Sequence, residues 1–330
     1  MGSKMLNLRI VSTGKALPRQ RITSAQLDVS LGHRLGFVEG KSGILHRYTA
    51  DTAERQSDLA ARALTDAFAR AGLKPGQVDL LISACGVQEQ ALPNTASRIL
   101  EAAGFPAGTP GIDVNASCLS FMAALTHAGA LIQAGVYQRI AIVSADLPSR
   151  GVNWDEPEAS FIFGDGAAAA IVERGIAGQG IRAQRFETYP EGKELCEIRA
   201  GGTRRNPRVG VENADFLFRM NGKGVFKLAS RVVPRFIDTL LESAGASIKD
   251  VDVLVPHQAS HLGMQHMLRK VGVPEARVIN IYPTHGNQVA ASIPTALHAA
   301  FEQGLAKPGT NVLLLGTAAG LTVGGMLVAL

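Results

Sequence analysis

Cysteine is scarce in this chain, with three residues in 330, at positions 85, 118 and 196. An odd count without metal-ligand spacing argues against a disulfide framework or a cysteine-bound metal. It points instead to a reduced, cytoplasmic setting. No apolar run of about 18 residues escapes interruption by glycine or polar residues, so no membrane span is indicated. The first residues, Met-Gly-Ser-Lys-Met-Leu-Asn-Leu-Arg, lack the apolar stretch of a secretory signal. Charge of neither sign gathers in long blocks. The 33 Lys and Arg against 28 Asp and Glu give a net +5 that reads as spread along the chain. Such a charge suits an acidic partner or a phosphate-bearing ligand and is too diffuse for nucleic acid. Apolar residues are plentiful, 46% hydrophobic against 18% charged. That composition buries a large core and excludes disorder, and the length suggests about two domain-sized units.

The two units read alike. Ala71-Gly-Leu-Lys-Pro-Gly-Gln-Val-Asp-Leu-Leu-Ile82 aligns without gaps on Ala244-Gly-Ala-Ser-Ile-Lys-Asp-Val-Asp-Val-Leu-Val255, 173 residues later. An amphipathic helix precedes each copy, at 57–71 and 232–244, the first closed by Gly72 at a C-cap position. Each copy runs into a short apolar strand of the kind buried in parallel sheets. Further on, each half repeats a strand, an apolar helix, an Ile/Val/Leu-rich strand (140–144; 312–316) and a glycine-containing hairpin (163–172; 320–328). Ahead of the first copy, residues 6–12 read as a strand, 24–32 as a polar helix and 37–47 as an exposed connection. The expectation is an α/β protein of two like halves, residues 1–174 and 175–330, whose mostly parallel sheets enclose shared buried helices. Residues 175–221 are the least regular. Within them Arg199-Ala-Gly-Gly-Thr-Arg-Arg-Asn-Pro-Arg208 reads either as a phosphate-holding loop or as a solvated surface loop. Asn221-Gly-Lys-Gly224 lacks the strand and spacing of a phosphate motif.

Chemistry concentrates in Gly111-Ile-Asp-Val-Asn-Ala-Ser-Cys-Leu-Ser120. Residues 112–114 alternate like the end of a buried strand, and from Leu119 onward a helix apolar on nearly every side begins. Cys118 therefore sits where a strand turns into a buried helix. Unpaired N–H groups and the positive helix end there favour a thiolate; the competing reading is a small buried hydrophobe.

A second cluster lies in the other half. Val255-Pro-His-Gln-Ala-Ser260 places His257 just past the end of an inner strand, where α/β proteins carry functional groups. Residues 278–282 form another strand, and Pro283-Thr-His-Gly-Asn-Gln-Val-Ala-Ala-Ser-Ile-Pro294 opens an apolar helix. This is the counterpart of the Cys118 turn, and pseudo-symmetry aims Asn287 at the same internal face; His285 is assigned to stabilising the turn. Cys118, His257 and Asn287 thus form a candidate site. An acyl group would move to Cys118. The imidazole and amide would donate hydrogen bonds to a second thioester's carbonyl, stabilising the enolate left by loss of CO2. Backbone N–H groups of Cys118 and of the turn Thr317-Ala-Ala-Gly320 are the candidate oxyanion donors.

At these motifs the chain resembles the β-ketoacyl-acyl-carrier-protein synthase III family of thiolase-like condensing enzymes, from about residue 6 to 330. The resemblance rests on Asn115-Ala-Ser-Cys118, Phe163-Gly-Asp-Gly166, Val255-Pro-His-Gln-Ala259, His285-Gly-Asn287 and Ala290-Ala-Ser-Ile-Pro294. It implies the five-layer αβαβα fold with two pseudo-symmetric halves, a homodimer, and acyl-coenzyme A and acyl-carrier protein as partners, with no metal and no resident cofactor. It implies that Cys118 takes the primer and that His257 and Asn287 promote decarboxylation of a malonyl-carrier protein. Ala319, where the family usually has glycine, would complete the oxyanion hole. Leu92, before Pro93, would reach across the dimer into the partner's acyl pocket, whose depth depends on residues such as Leu92, Leu217 and Phe218.

Several positions depart from the family. Its adenine-stacking Trp is Phe37 here, a nearby Arg is Lys41, and the other arm of the clamp is Pro157. A carrier-docking Arg after the His-Gln-Ala motif becomes Leu262, whereas Lys227 matches a docking lysine. These departures imply altered coenzyme A and carrier recognition in a secondary or fatty-acyl pathway. Four other readings share some of these residues. One is a papain-like protease, opposed by the internal repeat and the apolar helix after the cysteine. The others are a non-decarboxylating acyltransferase, a long-chain acyl condensing enzyme using Glu89 as base, and an inactive subunit of a heterodimer.

Overall fold

A computed structural model describes residues 5–330. Two sheets share one plan. The first runs Arg9–Ala16, Gly166–Glu173, Arg139–Asp146, Leu80–Ser83, Gly111–Asp113 from edge to edge. The second runs Gly180–Thr188, Thr322–Ala329, Asn311–Ala318, Val253–Pro256, and a lone parallel bridge from Leu254 to Val278 stands where the fifth strand would be. In each sheet the first two pairings in this order are antiparallel and those that follow are parallel.

Alternation along the buried strands builds three layers of core from two sheets. Ile82, Ile140, Ile142, Ala170 and Val172 face inward, with Val253, Val255, Val312, Leu314 and Met326 from the other sheet. Between them lie the helices Ser120–Gln133 and Ser292–Glu302, which are buried on most sides because both faces meet a sheet. The alternate residues Leu81, Ala141, Val143 and Ile171 face the outer helix Gln56–Ala71. Leu254, Leu313, Leu315 and Leu327 face the outer helix Gly222–Ser243. The result is five layers, helix, sheet, helices, sheet, helix. Small residues set the spacing: a Cβ on Gly14 would lie 2.3 Å from the Ala67 nitrogen, so that strand and helix touch through their backbones.

Several elements differ from the sequence expectations. The first strand is Arg9–Ala16, and Leu6 instead bridges to Ile181 in the second half. Its polar residues hid it: Ser12 is held by the Ala67 carbonyl (2.8 Å) and Thr13 by His298 (2.9 Å). Residues 37–47 are not an exposed connection but the helix Phe37–Ser42 and the start of the strand His46–Thr49, with Val38, Ile44 and Arg47 buried. The strand Gly111–Asp113 is an edge strand and leaves Ile112 39% exposed rather than buried. Only the second half ends in a tight hairpin. In the first half residues 147–165 intervene, carrying the short helices Pro148–Gly151 and Pro157–Ser160. No helix among the described residues is long and apolar enough to cross a membrane.

Candidate active site

The Cys118 turn is built by its neighbours. Asn115 Oδ1 accepts the Ser117 N–H (2.9 Å), its Nδ2 donates to the Gly86 carbonyl (3.2 Å), and the Ala116 N–H donates to Ser120 Oγ (2.9 Å). This wraps the backbone so tightly that Ser117 takes φ +52°, a conformation L-residues adopt only under constraint. The Asn287 turn repeats the construction atom for atom. Asn287 Oδ1 accepts the Val289 N–H (2.8 Å), its Nδ2 donates to the Ala259 carbonyl (3.2 Å), the Gln288 N–H donates to Ser292 Oγ (2.9 Å), and Val289 has φ +53°.

His257 follows the strand Val253–Pro256, its N–H donating to the Leu315 carbonyl (2.8 Å). A Cβ on Gly316 would lie 2.7 Å from His257 Cβ and 3.1 Å from Leu119 Cδ2. That glycine is where His257 and the helix behind Cys118 converge. The Asn287 amide reaches Ala259, two residues beyond His257, so the three side chains belong to one region.

Electrostatically the region is dry. Burial holds the His257 imidazole down to about 4, so it is neutral at physiological pH, and its Nδ1 has no protein partner among the described residues. Burial also pushes the Cys118 thiol up to about 12, with the Asp146 carboxylate and then Cys196 adding to the rise. The backbone N–H groups of Ala319 and of Cys118 itself pull the other way. Desolvation thus acts against the helix N-terminus and raises the thiol, opposite to the thiolate expected from the helix end, at a side chain that is itself partly exposed. Those same two N–H groups flank the sulfur, beside a turn where Gly320 (φ +82°) and Leu321 (φ +43°) are both left-handed.

Phe163-Gly-Asp-Gly166 joins the halves. A Cβ on Gly164 would sit 2.1 Å from the His285 carbonyl oxygen, and one on Gly166 would sit 2.0 Å from Gln288 Nε2. The Asn287 N–H donates to the Ile162 carbonyl (2.7 Å) and the Gly164 N–H to the Asn287 carbonyl (3.2 Å). Asp165, fully buried, accepts from the Ala50 and Ser149 N–H groups (2.8 and 2.9 Å). His285 keeps to its turn, with Nδ1 2.8 Å from Thr284 Oγ1.

Sequence reasoning missed two residues. Arg47 is fully buried and donates to the Phe161 and Phe163 carbonyls and to Ser24 Oγ. Asp146 ends the strand Arg139–Asp146, buried, its carboxylate accepting backbone N–H groups from both halves. A charged residue closing the apolar run Ile140-Ala-Ile-Val-Ser-Ala was the available signal.

The peripheral residues lie on two faces. Phe37 stacks at 4.4 Å on His33 and edge-on at 6.2 Å to Phe161, with Lys41 Nζ 5.9 Å over its ring. Pro157 opens the exposed end of the helix Pro157–Ser160. Leu92 is 85% exposed. Phe218 packs edge-on against Phe163 at 5.0 Å, with Leu217 partly buried beside it. Glu89 is not a free base, since both its oxygens meet Ser57 (3.2 and 3.3 Å). Lys227 lies on the helix Gly222–Ser243 in an exposed row with Lys223, Arg231 and Arg235, spaced four apart, and Leu262 on the next helix is 72% exposed. The positive charge is not diffuse: residues 193–235 hold ten Lys and Arg against four Asp and Glu.

Five layers around two buried helices, each entered through a strained turn, make this a thiolase-like condensing enzyme. The thiolase N-terminal domain model matches residues 42–145. The model of 3-oxoacyl-[acyl-carrier-protein] synthase III matches residues 112–192, and that of its C-terminal part matches 241–330. The β-ketoacyl-[acyl-carrier-protein] synthase III of Neisseria meningitidis serogroup C / serotype 2a is 32% identical over 319 residues, 97% of this chain and 98% of the relative. The crystal structure of the synthase III from Pseudomonas aeruginosa PAO1 superposes with TM-score 0.87 at 29% identity, covering 98% of each chain. The priming β-ketosynthase of the R1128 polyketide pathway gives 0.87 at 25% identity, over 99% of this chain and 97% of that one. The chain belongs to the β-ketoacyl-acyl-carrier-protein synthase III family and is an acyltransferase of the condensing type.

Proposed function

We propose that Cys118 accepts an acyl group from a thioester primer and that the enzyme then condenses it with a malonyl-carrier protein. The observation that carries this reading is the pair of N–H groups, Ala319 and Cys118, beside the partly exposed sulfur, with a neutral His257 and Asn287 in the facing turn. In the first step the sulfur attacks the primer carbonyl, the oxyanion is met by those two N–H groups, and the thiol proton ends on the departing thiol. In the second, His257, as the Nε2–H tautomer, and the Asn287 amide donate to the malonyl thioester oxygen. CO2 leaves, the enolate carbon attacks the acyl-cysteine carbonyl, and Cys118 departs as a thiolate that regains its proton from solvent. Dry surroundings strengthen each of these hydrogen bonds.

The division into residues 1–174 and 175–330 is supported by sheets drawn from residues 9–173 and 180–329. A homodimer is supported by exposed Leu92 beside the edge strand Gly111–Asp113, whose Gly111 carbonyl accepts from Asn94 Nδ2 (3.2 Å); an uncovered edge with apolar neighbours calls for a partner. An acidic carrier protein is supported by the basic row Lys223, Lys227, Arg231 and Arg235. Priming from an acyl carrier in a secondary pathway is supported by the Phe37 ring already packing against His33 and by Pro157 in the opposing arm, both of which weaken an adenine clamp. Intact-protein mass spectrometry with a panel of acyl-coenzyme A and acyl-carrier thioesters, followed by a malonyl-carrier chase, tests this. An adduct lost in Cys118→Ala and converted to a β-ketoacyl product is expected; an adduct passed on unchanged to another acceptor would make the enzyme a plain acyltransferase.

A further inference from the structure

Asp146 lies where the two halves meet. Its carboxylate accepts the N–H groups of Gly86 (3.0 Å) and Val87 (2.9 Å) from the first half and of Ala290 (3.1 Å) from the second. The Ala291 N–H acts on it as well. Each donor is tied to a reacting turn. The Gly86 carbonyl holds Asn115 Nδ2 and the Cys85 carbonyl accepts from Ser120 Oγ (3.2 Å), while Ala290 stands three residues after Asn287. Gly86 has no space for a side chain, since a Cβ would lie 2.4 Å from Val289 Cγ1 and 3.3 Å from Asp146 Oδ1.

No cation pairs with this carboxylate among the described residues. The titratable groups it acts on are Cys118 and Cys85, and it raises both thiols. A buried carboxylate is expensive to keep, but an apolar residue in its place would strand the backbone N–H groups of Gly86, Val87 and Ala290. Its position gives it two effects, a mechanical link between the turns and a negative field at the nucleophile.

We propose that Asp146 is a positioning residue that locks the Cys118 turn to the Asn287 turn. The proposal rests on Cys118 being the nucleophile. Iodoacetamide alkylation of that thiol nevertheless reads the field of Asp146 directly, whether or not any thioester acylates it.

The test compares Asp146→Asn with the wild-type enzyme. The alkylation-against-pH profile of Cys118, followed by mass spectrometry, should move down by about half a pH unit or more once the like charge is gone. Condensation should fall by about tenfold with the primer KM within about twofold. Condensation at the wild-type rate in Asp146→Asn overturns the proposal, whatever happens to the alkylation profile or to thermal stability. Should Asp146→Asn fail to fold, the wild-type protein labelled with ¹³C-carboxyl aspartate and ¹⁵N-valine and alanine answers instead. Titration of the Asp146 carboxyl should shift the Val87 and Ala290 amides together, and movement of one without the other sinks the link between the turns.

Discussion

Asn115 and Asn287 make the same two hydrogen bonds in the two halves. Each Oδ1 accepts the N–H two residues on (2.9 and 2.8 Å), and each Nδ2 donates to a carbonyl on the preceding loop (both 3.2 Å). One asparagine shapes the turn that carries the sulfur, and the other is proposed to belong to the reacting set. Their replacement by alanine should therefore fail differently. Asn115→Ala should lose about 1–2 kcal/mol of stability through the unmade turn bonds and slow acylation of Cys118. Asn287→Ala should acylate normally and lose about 10²–10³ in condensation. Mass spectrometry of the two half-reactions separates them.

Gly164 meets the second half backbone to backbone, and Gly166 meets a side-chain amide. Gly164→Ala should therefore be the worse substitution, destabilising by about 2–3 kcal/mol, with Gly166→Ala at about 1–2 kcal/mol as Gln288 shifts. Urea midpoints for the two variants check the order.

Burial pushes the Arg47 guanidinium down to about 10, and no carboxylate opposes it. Arg47→Lys keeps the charge and loses the fork in which Nη1 donates to both carbonyls while Nη2 donates to Ser24 Oγ, so about 2–4 kcal/mol should be lost. Those carbonyls flank Ile162, which holds the Asn287 backbone. Condensation should accordingly suffer more than acylation, as read from the two half-reactions.

Stability should fall in mild acid. His257 and His285 are held down to about 4 from an ordinary 6.5, so the unfolded chain takes up protons first as pH drops. Their contribution is complete above about 6.5 and lost as pH falls towards 4. Asp146, raised from 3.8 to about 7, opposes this, since its contribution is present below 3.8 and lost as pH rises to 7. Asp165, raised by burial, acts as Asp146 does, and three histidines stand against these two carboxyls, since His298 shifts in the same direction as His257 and His285. The melting temperature should drop between pH 6.5 and 4.5, and less steeply in His285→Asn; calorimetry across that range decides it.

Much of the architecture was legible from one repeat. The phrase at 71–82 and its copy at 244–255 announce the parallel strands Leu80–Ser83 and Val253–Pro256, and with them the place of His257. Gly72 takes the left-handed C-cap conformation expected of it. Illegible were features set by distant contacts. Arg47 lies among Gly40, Gly43 and polar neighbours that imitate a surface turn, and only packing against 161–163 buries it. Residues 112–114 alternate as a buried strand does, but alternation does not reveal that a strand stands at a sheet edge. The state of Cys118 was misjudged because a helix end is visible in a sequence and the depth of desolvation is not.

The two halves close their last strand pair differently, through three residues at 319–321 in one and through 147–165 in the other. The long excursion carries Ile162, Phe163 and Gly164 across to brace Asn287, while the short turn brings Ala319 back to Cys118. Each half thus completes the other's reactive turn, and neither could be replaced by a second copy of its sibling. A chain cut near residue 175 would yield two fragments that regain chemistry only by reassociating, and two identical fragments would regain none.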